Sequence, residues 1–348
     1  MTTTAARPTL EGSRKVKKFW WPLLVCSILL TLAVPVFLGG LAPFKMLQRL
    51  SWWVAAFLVL PALVSWVFNA WRTRFLLKWL GLKISFLEAA LTTISAEFAG
   101  VTTPGSVGMA ATYTLLYHNL GVTLGEAVGL VGVIMVTDLV YFGTVMPLAA
   151  ILEIFSGSSR DITLALMAVI LGVVAGSFLV FWALIRNYRR VYRFVSRQMA
   201  KVSWLASKRY RLARGTVHLI KALRALGKMQ RRHLLGLYFI TFGFWFPRYL
   251  VLIVVIHLVA HTSVPFAYLL LVQGVLNLGG QLFLLPAGAG TVDAGYAAFL
   301  SPYLGRETLA FTLLVWRTYT FYWYLIVGGP IFVLKTGKAA HDLLTRQT

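Results

Sequence analysis

The chain has 348 residues, of which 59% are hydrophobic and 12% charged. Soluble domains carry about a quarter charged residues, so this composition argues against a soluble fold and for a membrane protein. The net charge of +23 does not indicate a nucleic-acid binder, because the basic residues cluster between apolar runs in the positive-inside pattern. The single cysteine, Cys26, leaves neither an intrachain disulfide nor a cysteine-based metal site.

Residues 1–18 read as a cytoplasmic tail with Arg14, Lys15, Lys17 and Lys18. The apolar run from Phe19 to about Leu41 is too long for a signal-peptide core and reads as a retained first helix. Further spans are predicted over Trp52–Trp71, Leu124–Ile151, Ile162–Ile185, Leu234–Val259 and Thr308–Leu334. Two other apolar segments are broken, Phe86–Leu120 at Pro104-Gly105-Ser106-Val107-Gly108 and Pro265–Leu304 at Pro286-Ala287-Gly288-Ala289-Gly290. The 12-residue arms after the breaks, Met109–Leu120 and Thr291–Pro302, reach only about 18 Å, short of a ~30 Å hydrocarbon core. Re-entrant hairpins fit these lengths better than full crossings.

Arg72, Arg74, Lys78 and Lys83 read as cytoplasmic charges after the second span. The stretch Arg186–His233 holds 15 Lys plus Arg and no acidic residue, and Lys335 and Lys338 place the C-terminus on the same side; Lys45 and Arg49 run against the trend. The expected fold is an all-α polytopic membrane protein with six full transmembrane helices plus two re-entrant helical hairpins in an inverted-topology repeat. A single transmembrane domain covers 19–335, with repeat A over 51–152, a basic amphipathic segment over 186–233, repeat B over 234–334 and a cytoplasmic tail over 336–348. The expected location is the inner cell membrane, with both termini cytoplasmic.

The stretch Ala96–Gly108, followed by Leu120-Gly121-Val122 and Asp138, resembles the first motif of the lysylphosphatidylglycerol synthase/flippase transmembrane family. Pro286–Gly295, then Gly305 and Arg317, resembles its second motif. The resemblance covers roughly Trp20–Leu334 and implies a domain that moves aminoacylated phosphatidylglycerol, or lipid-linked intermediates, between leaflets. Two positions depart from the family pattern: Asp293 stands where Glu is frequent, and Thr137-Asp138-Leu139 lacks a basic residue frequent there. No stretch resembles the soluble aminoacyl-transferring domain, so the expectation is a non-enzyme.

Ionisable groups within apolar runs are costly, and Glu97, Asp138, Arg248, Asp293 and Arg317 are candidates for substrate contact or for mutual pairing. Arg248 offers a planar fork for phosphate or an ion-pair partner for Asp138 or Glu97. Asp293 is placed to cap the helix after Gly290, or to meet substrate. Glu97 reads as a proton carrier, a partner for a lipid amine or a member of an ion pair, and Arg317 reads chiefly as paired. The loop glycines Gly105, Gly108, Gly288 and Gly290 either bring backbone N–H groups close to a headgroup phosphate or simply break helices. Thr102, Thr103, Ser106 and Thr291 add hydroxyls. Gln273, Asn277 and Gln281 lie at four-residue spacing on one helix face, as a headgroup path or as interhelical hydrogen-bond glue.

A stripe of Arg186, Arg189 or Arg190, Arg193, Arg197 and Lys201, interleaved with Val191, Phe194, Val195, Val202 and Leu205, reads as an interfacial anchor that also attracts anionic lipid. His257 and His261, four residues apart on one expected helix face, lack a third ligand; no metal and no cofactor are expected. The expected partners are membrane lipids, anionic phospholipid first, with a homo-oligomer or a separately encoded lipid-modifying enzyme as further partners and no nucleic acid. The functional expectation is a flippase-like lipid transporter, with a non-catalytic partner subunit or an ion-coupled solute transporter as alternatives.

Overall fold

The computed structural model describes residues 10–48, 50–155, 160–200, 229–282 and 285–345. Every regular element among them is helical. The order is α1 (Leu10–Gly39), α2 (Ala42–Gln48), α3 (Trp52–Trp79), α4 (Phe86–Val101), α5 (Val107–Asn119), α6 (Leu124–Phe155) and α7 (Arg160–Ala200). Then follow α8 (Arg231–Val254), α9 (Phe266–Leu282), α10 (Thr291–Leu300), α11 (Arg306–Arg317) and α12 (Trp323–Thr345). Three are long and apolar enough to cross a membrane: Trp52–Trp79, Leu124–Phe155 and Arg231–Val259. Leu24–Gly39 and Ala42–Gln48 together make a fourth, bent by 101°. Leu164–Val180 is a shorter apolar stretch within α7. The protein is therefore a multi-pass α-helical membrane protein.

Local chemistry sets the boundaries. Ser85 caps α4 by accepting from the Glu88 N–H at 3.1 Å. Thr123 and Glu126 form a reciprocal capping box at the start of α6. The two Pro/Gly breaks are 3-10 turns, Pro104–Ser106 and Pro286–Gly288, each opening on proline after an extended residue, Thr103 or Leu285. Each then runs through two consecutive left-handed residues. Gly105 and Ser106 have φ of 58° and 55°, and Ala287 and Gly288 have 50° and 62°. Gly288 cannot be replaced freely, because a Cβ there would sit 2.6 Å from the Gly280 Cα and from Val292.

The two breaks pack against each other, and the packing around them repeats. Helix α3 lies antiparallel on α8, with Phe75 beside His233 at one end and Ser65 bonded to Arg248 further along. Helix α4 packs on α12 as α9 packs on α6, and α1 packs on α11 as α7 packs on α6. The α4 helix touches the second break, and α9 touches the first. Exchanging the first half of the chain for the second therefore maps most of the packing onto itself.

The largest core cluster runs through α6, α8, α9, α10 and α11, with Met146, Leu252, Leu271, Val272 and Tyr296 fully enclosed. Basic residues gather at one end of the bundle: Arg74 and Lys78 in the last turns of α3 and Lys83 just after it, Arg231 and Arg232 at the start of α8, and Lys335, paired with Glu88, on α12.

Three expectations change. Arg72 is not a loop charge, because α3 continues to Trp79 and buries Arg72 to 2% exposure. His257 and His261 do not share a helix face; His257 sits in a π-helical turn over Val255–Val259, and His261 follows it with φ of 50°. The basic stripe is interrupted just after its first residue, Arg186, because Asn187 inside α7 departs from helical geometry with φ of −115° and ψ of 26°. Residues 201–228 of the basic segment, with Lys201, Val202 and Leu205, lie outside the described residues, as do residues 1–9 of the N-terminal tail, whose second half is already part of α1.

Candidate functional site

A cavity of about 140 Å³ lies where the two breaks meet. Thr103, Gly105, Ser106, Gln273, Asn277, Gln281, Arg248 and Arg317, all singled out in sequence, line it. Ala287, Trp245, Trp316, Thr320 and Tyr324 are among the other residues of the wall. A smaller recess of about 80 Å³ adjoins it and shares Arg248, Gln273 and Asn277. Such volumes hold several waters or a headgroup phosphate, and are small beside the roughly 300–1,000 Å³ of pockets that enclose whole ligands.

Three buried ion pairs surround this space, and each joins different helices. Arg248 of α8 pairs with Glu97 of α4, and its Nε donates to Ser65 Oγ at 2.7 Å. Glu97, 1% exposed, also accepts from Trp66 Nε1 at 2.9 Å and from the Asn69 amide. The Asn69 Oδ1 accepts from Arg72 Nε and Nη2 at 3.2 and 3.0 Å. Arg72 in turn pairs with Asp138 of α6 at 2.5 Å, and Asp138 Oδ1 accepts from Trp245 Nε1 at 2.8 Å. One continuous polar chain thus runs from Asp138 to the cavity wall at Arg248.

The third pair belongs to the second half. Arg317 Nε meets Asp293 Oδ1 at 2.5 Å, and Arg317 Nη1 donates to the Ala287 carbonyl of the second break at 3.3 Å. Asp293 Oδ2 accepts from the Gly290 N–H at 2.8 Å, which caps α10 as its position predicts. Arg317 is 3% exposed, and its Nη2 is buried without a hydrogen-bond partner among the described residues. A buried charged donor left unsatisfied carries a large desolvation cost.

The electrostatic consequence follows from which groups face inward. Arg248 and Arg317 line the cavity, whereas their carboxylates, Glu97 and Asp293, do not. A group in the cavity lies beside two arginines whose carboxylate partners do not line it. Gln273 is held by Trp316 Nε1, which donates to its Oε1 at 3.0 Å and leaves the amide N–H₂ available. The Arg248 guanidinium also lies over the Phe244 ring, 4.3 Å from its centroid.

Other residues singled out in sequence take up structural positions outside the cavity wall. Thr102 is fully buried and bonds back to the Phe98 carbonyl at 2.7 Å. Thr291 is exposed and donates to the Gly288 carbonyl at 2.9 Å. Gly108 gives its N–H to Thr103 Oγ1 at 2.8 Å, and a Cβ there would overlap the Ala99 carbonyl. Gly290 supplies the N–H that Asp293 accepts. Asp138 is linked to Arg248 through Arg72, Asn69 and Glu97, and through Trp245, whose ring centroid lies 5.7 Å from the Arg248 guanidinium.

The sequence reading missed α3 as a source of polar groups. Ser65, Asn69, Arg72 and Thr73 are all buried at helical spacing on one face of that span. Their i, i+4, i+7 pattern is the signal that identifies them. Among the described residues no group of three or more His, Cys, Asp or Glu could hold a metal ion.

The sequence matches the family described as the lysylphosphatidylglycerol synthase TM region over residues 23–328. It is also 22% identical over 318 residues to a UPF0104 membrane protein of Archaeoglobus fulgidus, covering 88% of this chain and 94% of that protein. The matched region contains both breaks, all three buried ion pairs and the whole cavity wall, and the chain belongs to the lysylphosphatidylglycerol synthase transmembrane-region family.

Proposed function

We propose that the protein is a flippase-like transporter that moves an anionic or aminoacylated phospholipid, or a lipid-linked intermediate, between leaflets without a covalent step. The observation that carries this reading is the pair of arginines, Arg248 and Arg317, lining one small cavity that their carboxylate partners do not line. Arginine's planar fork suits phosphate oxygens. The cavity suits a headgroup in size, and acyl chains would remain in lipid. Gln273, Asn277, Gln281 and Ser106 supply further polar contacts around it.

The topology in this reading has six crossings, made by α1, α3, α6, α7, α8 and the α11–α12 unit. The pairs α4–α5 and α9–α10 are re-entrant hairpins. Their second arms support this: α5 and α10 have 13 and 10 residues, and at 1.5 Å per residue reach only ~20 and ~15 Å. Each half then contains three crossings, an odd number, so the second half is inverted relative to the first. The mutual packing of the two breaks and their matching left-handed residues support such a pseudo-two-fold relation. The basic end of the bundle is assigned to the cytoplasm, with both termini on that side.

The test is leaflet exchange of a headgroup-labelled anionic phospholipid in proteoliposomes. The wild type should exchange it, and Arg248→Ala should slow exchange at least tenfold. Absence of exchange, or equal rates in the wild type, Arg248→Ala and Asp293→Ala, rejects the reading.

A further inference from the structure

The outer side of α3 carries a second recess, separate from the central cavity. Its volume is about 440 Å³, within the roughly 300–1,000 Å³ range of small-ligand sites. Trp71 and Phe75 of α3 and Ile240 of α8 form its apolar wall, and Arg74, Lys78 and Lys83 supply its charge. Arg74 Nε donates to the Ile84 carbonyl at 3.2 Å, which ties that guanidinium to the α3–α4 loop. All three basic residues are exposed, and among the described residues no carboxylate is ion-paired with any of them.

The contrast with Arg72 is informative. That residue turns inward from the same helix and is neutralised by Asp138. Helix α3 thus sorts its basic residues, the inward one paired and the outward ones left around an apolar slot. Unpaired cations beside hydrocarbon-lined space call for one molecule with both an anion and hydrocarbon. A free phosphate would leave Trp71, Phe75 and Ile240 uncovered, and a zwitterionic lipid would bring its own cation to a basic rim. Trp71, 44% exposed, is also of the residue type that settles at headgroup level.

We propose that this recess is a binding site for an anionic diacyl phospholipid, its phosphate against Arg74, Lys78 and Lys83 and an acyl chain along Trp71, Phe75 and Ile240. The site is independent of the translocation reading, since it shares no residue with the central cavity. Basic pockets at helix ends recognise anionic headgroups, each basic residue near such a surface contributing roughly fivefold in affinity.

The experiment places the full chain in phosphatidylcholine nanodiscs with graded amounts of a dibrominated lipid. Quenching of Trp71 is read as the difference between the wild type and Trp71→Phe. Dibrominated phosphatidylglycerol should reach half-maximal quenching at a mole fraction at least tenfold lower than dibrominated phosphatidylcholine. The Arg74→Gln/Lys78→Gln/Lys83→Gln variant should bring the two curves together. Equal quenching by both lipids in the wild type, or an intact preference in the triple variant, overturns the proposal. Should the triple variant aggregate, Lys78→Gln alone should shift the phosphatidylglycerol midpoint roughly fivefold; an unmoved midpoint also overturns it.

Discussion

Arg248 on α8 and Glu97 on α4 form an ion pair that joins the two halves of the chain across the cavity wall. Glu97 is fully enclosed and shared among Arg248, Trp66 and Asn69, so removing the guanidinium strands a buried carboxylate. Breaking a buried pair from one side costs about 3–5 kcal/mol. Arg248→Ala and Glu97→Ala should each lower the thermal midpoint in detergent markedly, and Glu97→Gln less, since the amide still accepts from Trp66. In the double variant the loss should be smaller than the sum of the two singles, which a double-mutant cycle on thermal or denaturant unfolding will show.

Arg317 and Asp293 should separate folding from transport. Arg317→Lys keeps a cation for Asp293 but loses the planar fork and the free Nη2. The variant is expected to stay folded by size-exclusion chromatography and to exchange lipid at least tenfold more slowly than wild type. An unchanged rate would remove Arg317 from the substrate path.

Left-handed positions in the second break and in the turn between α5 and α6 predict graded responses to substitution. Gly288→Ala puts a Cβ 2.6 Å from the Gly280 Cα at a φ of 62°, so both overlap and backbone strain act. A loss above ~2 kcal/mol is expected. Ala287→Gly, at a φ of 50°, relieves a left-handed alanine and should change stability by less than about 1 kcal/mol. Gly121→Ala, with a φ of 98° and open space around it, should lose only about 1–2 kcal/mol. Thermal midpoints of the three variants in one detergent give the ranking.

Ser106 lines the cavity, whereas Cys26 is exposed on α1. In a Cys26→Ser background, Ser106→Cys should react with a small charged thiol reagent. Anionic phospholipid, more than zwitterionic, should slow that reaction if the headgroup sits between the breaks. Equal rates with both lipids would place the headgroup elsewhere.

Much of this architecture is legible in the sequence. The long apolar runs mark their helices, because twenty uncharged residues have few alternatives to a span. The two breaks are equally plain, because each combines a proline with two nearby glycines, whereas the lone prolines Pro61, Pro147 and Pro247 stay within continuous helices. The capping role of Asp293 follows from its place three residues after Gly290. Facing direction is less readable. Arg72, Arg74 and Lys78 look like one basic run, yet the first turns into the bundle and the others turn out, and only the continuation of α3 to Trp79 separates them. For the same reason Asp138 is matched in sequence with Arg248 as one alternative, whereas its partner is Arg72, which reads as a cytoplasmic charge. Equivalence of Gly105 with Ala287 is hidden as well, because the shared left-handed backbone is held by different residue types.

The three pairs around the cavity cancel in charge, with Arg72, Arg248 and Arg317 set against Asp138, Glu97 and Asp293. If the protein moves lipid as proposed above, a headgroup at the cavity adds its own charge to pairs that cancel, so a singly anionic lipid would feel about 2.3 kcal/mol per 100 mV of membrane potential and a net-neutral one none. Voltage would thus tell the two kinds of cargo apart, rectifying the movement of one and leaving the other to run downhill in either direction.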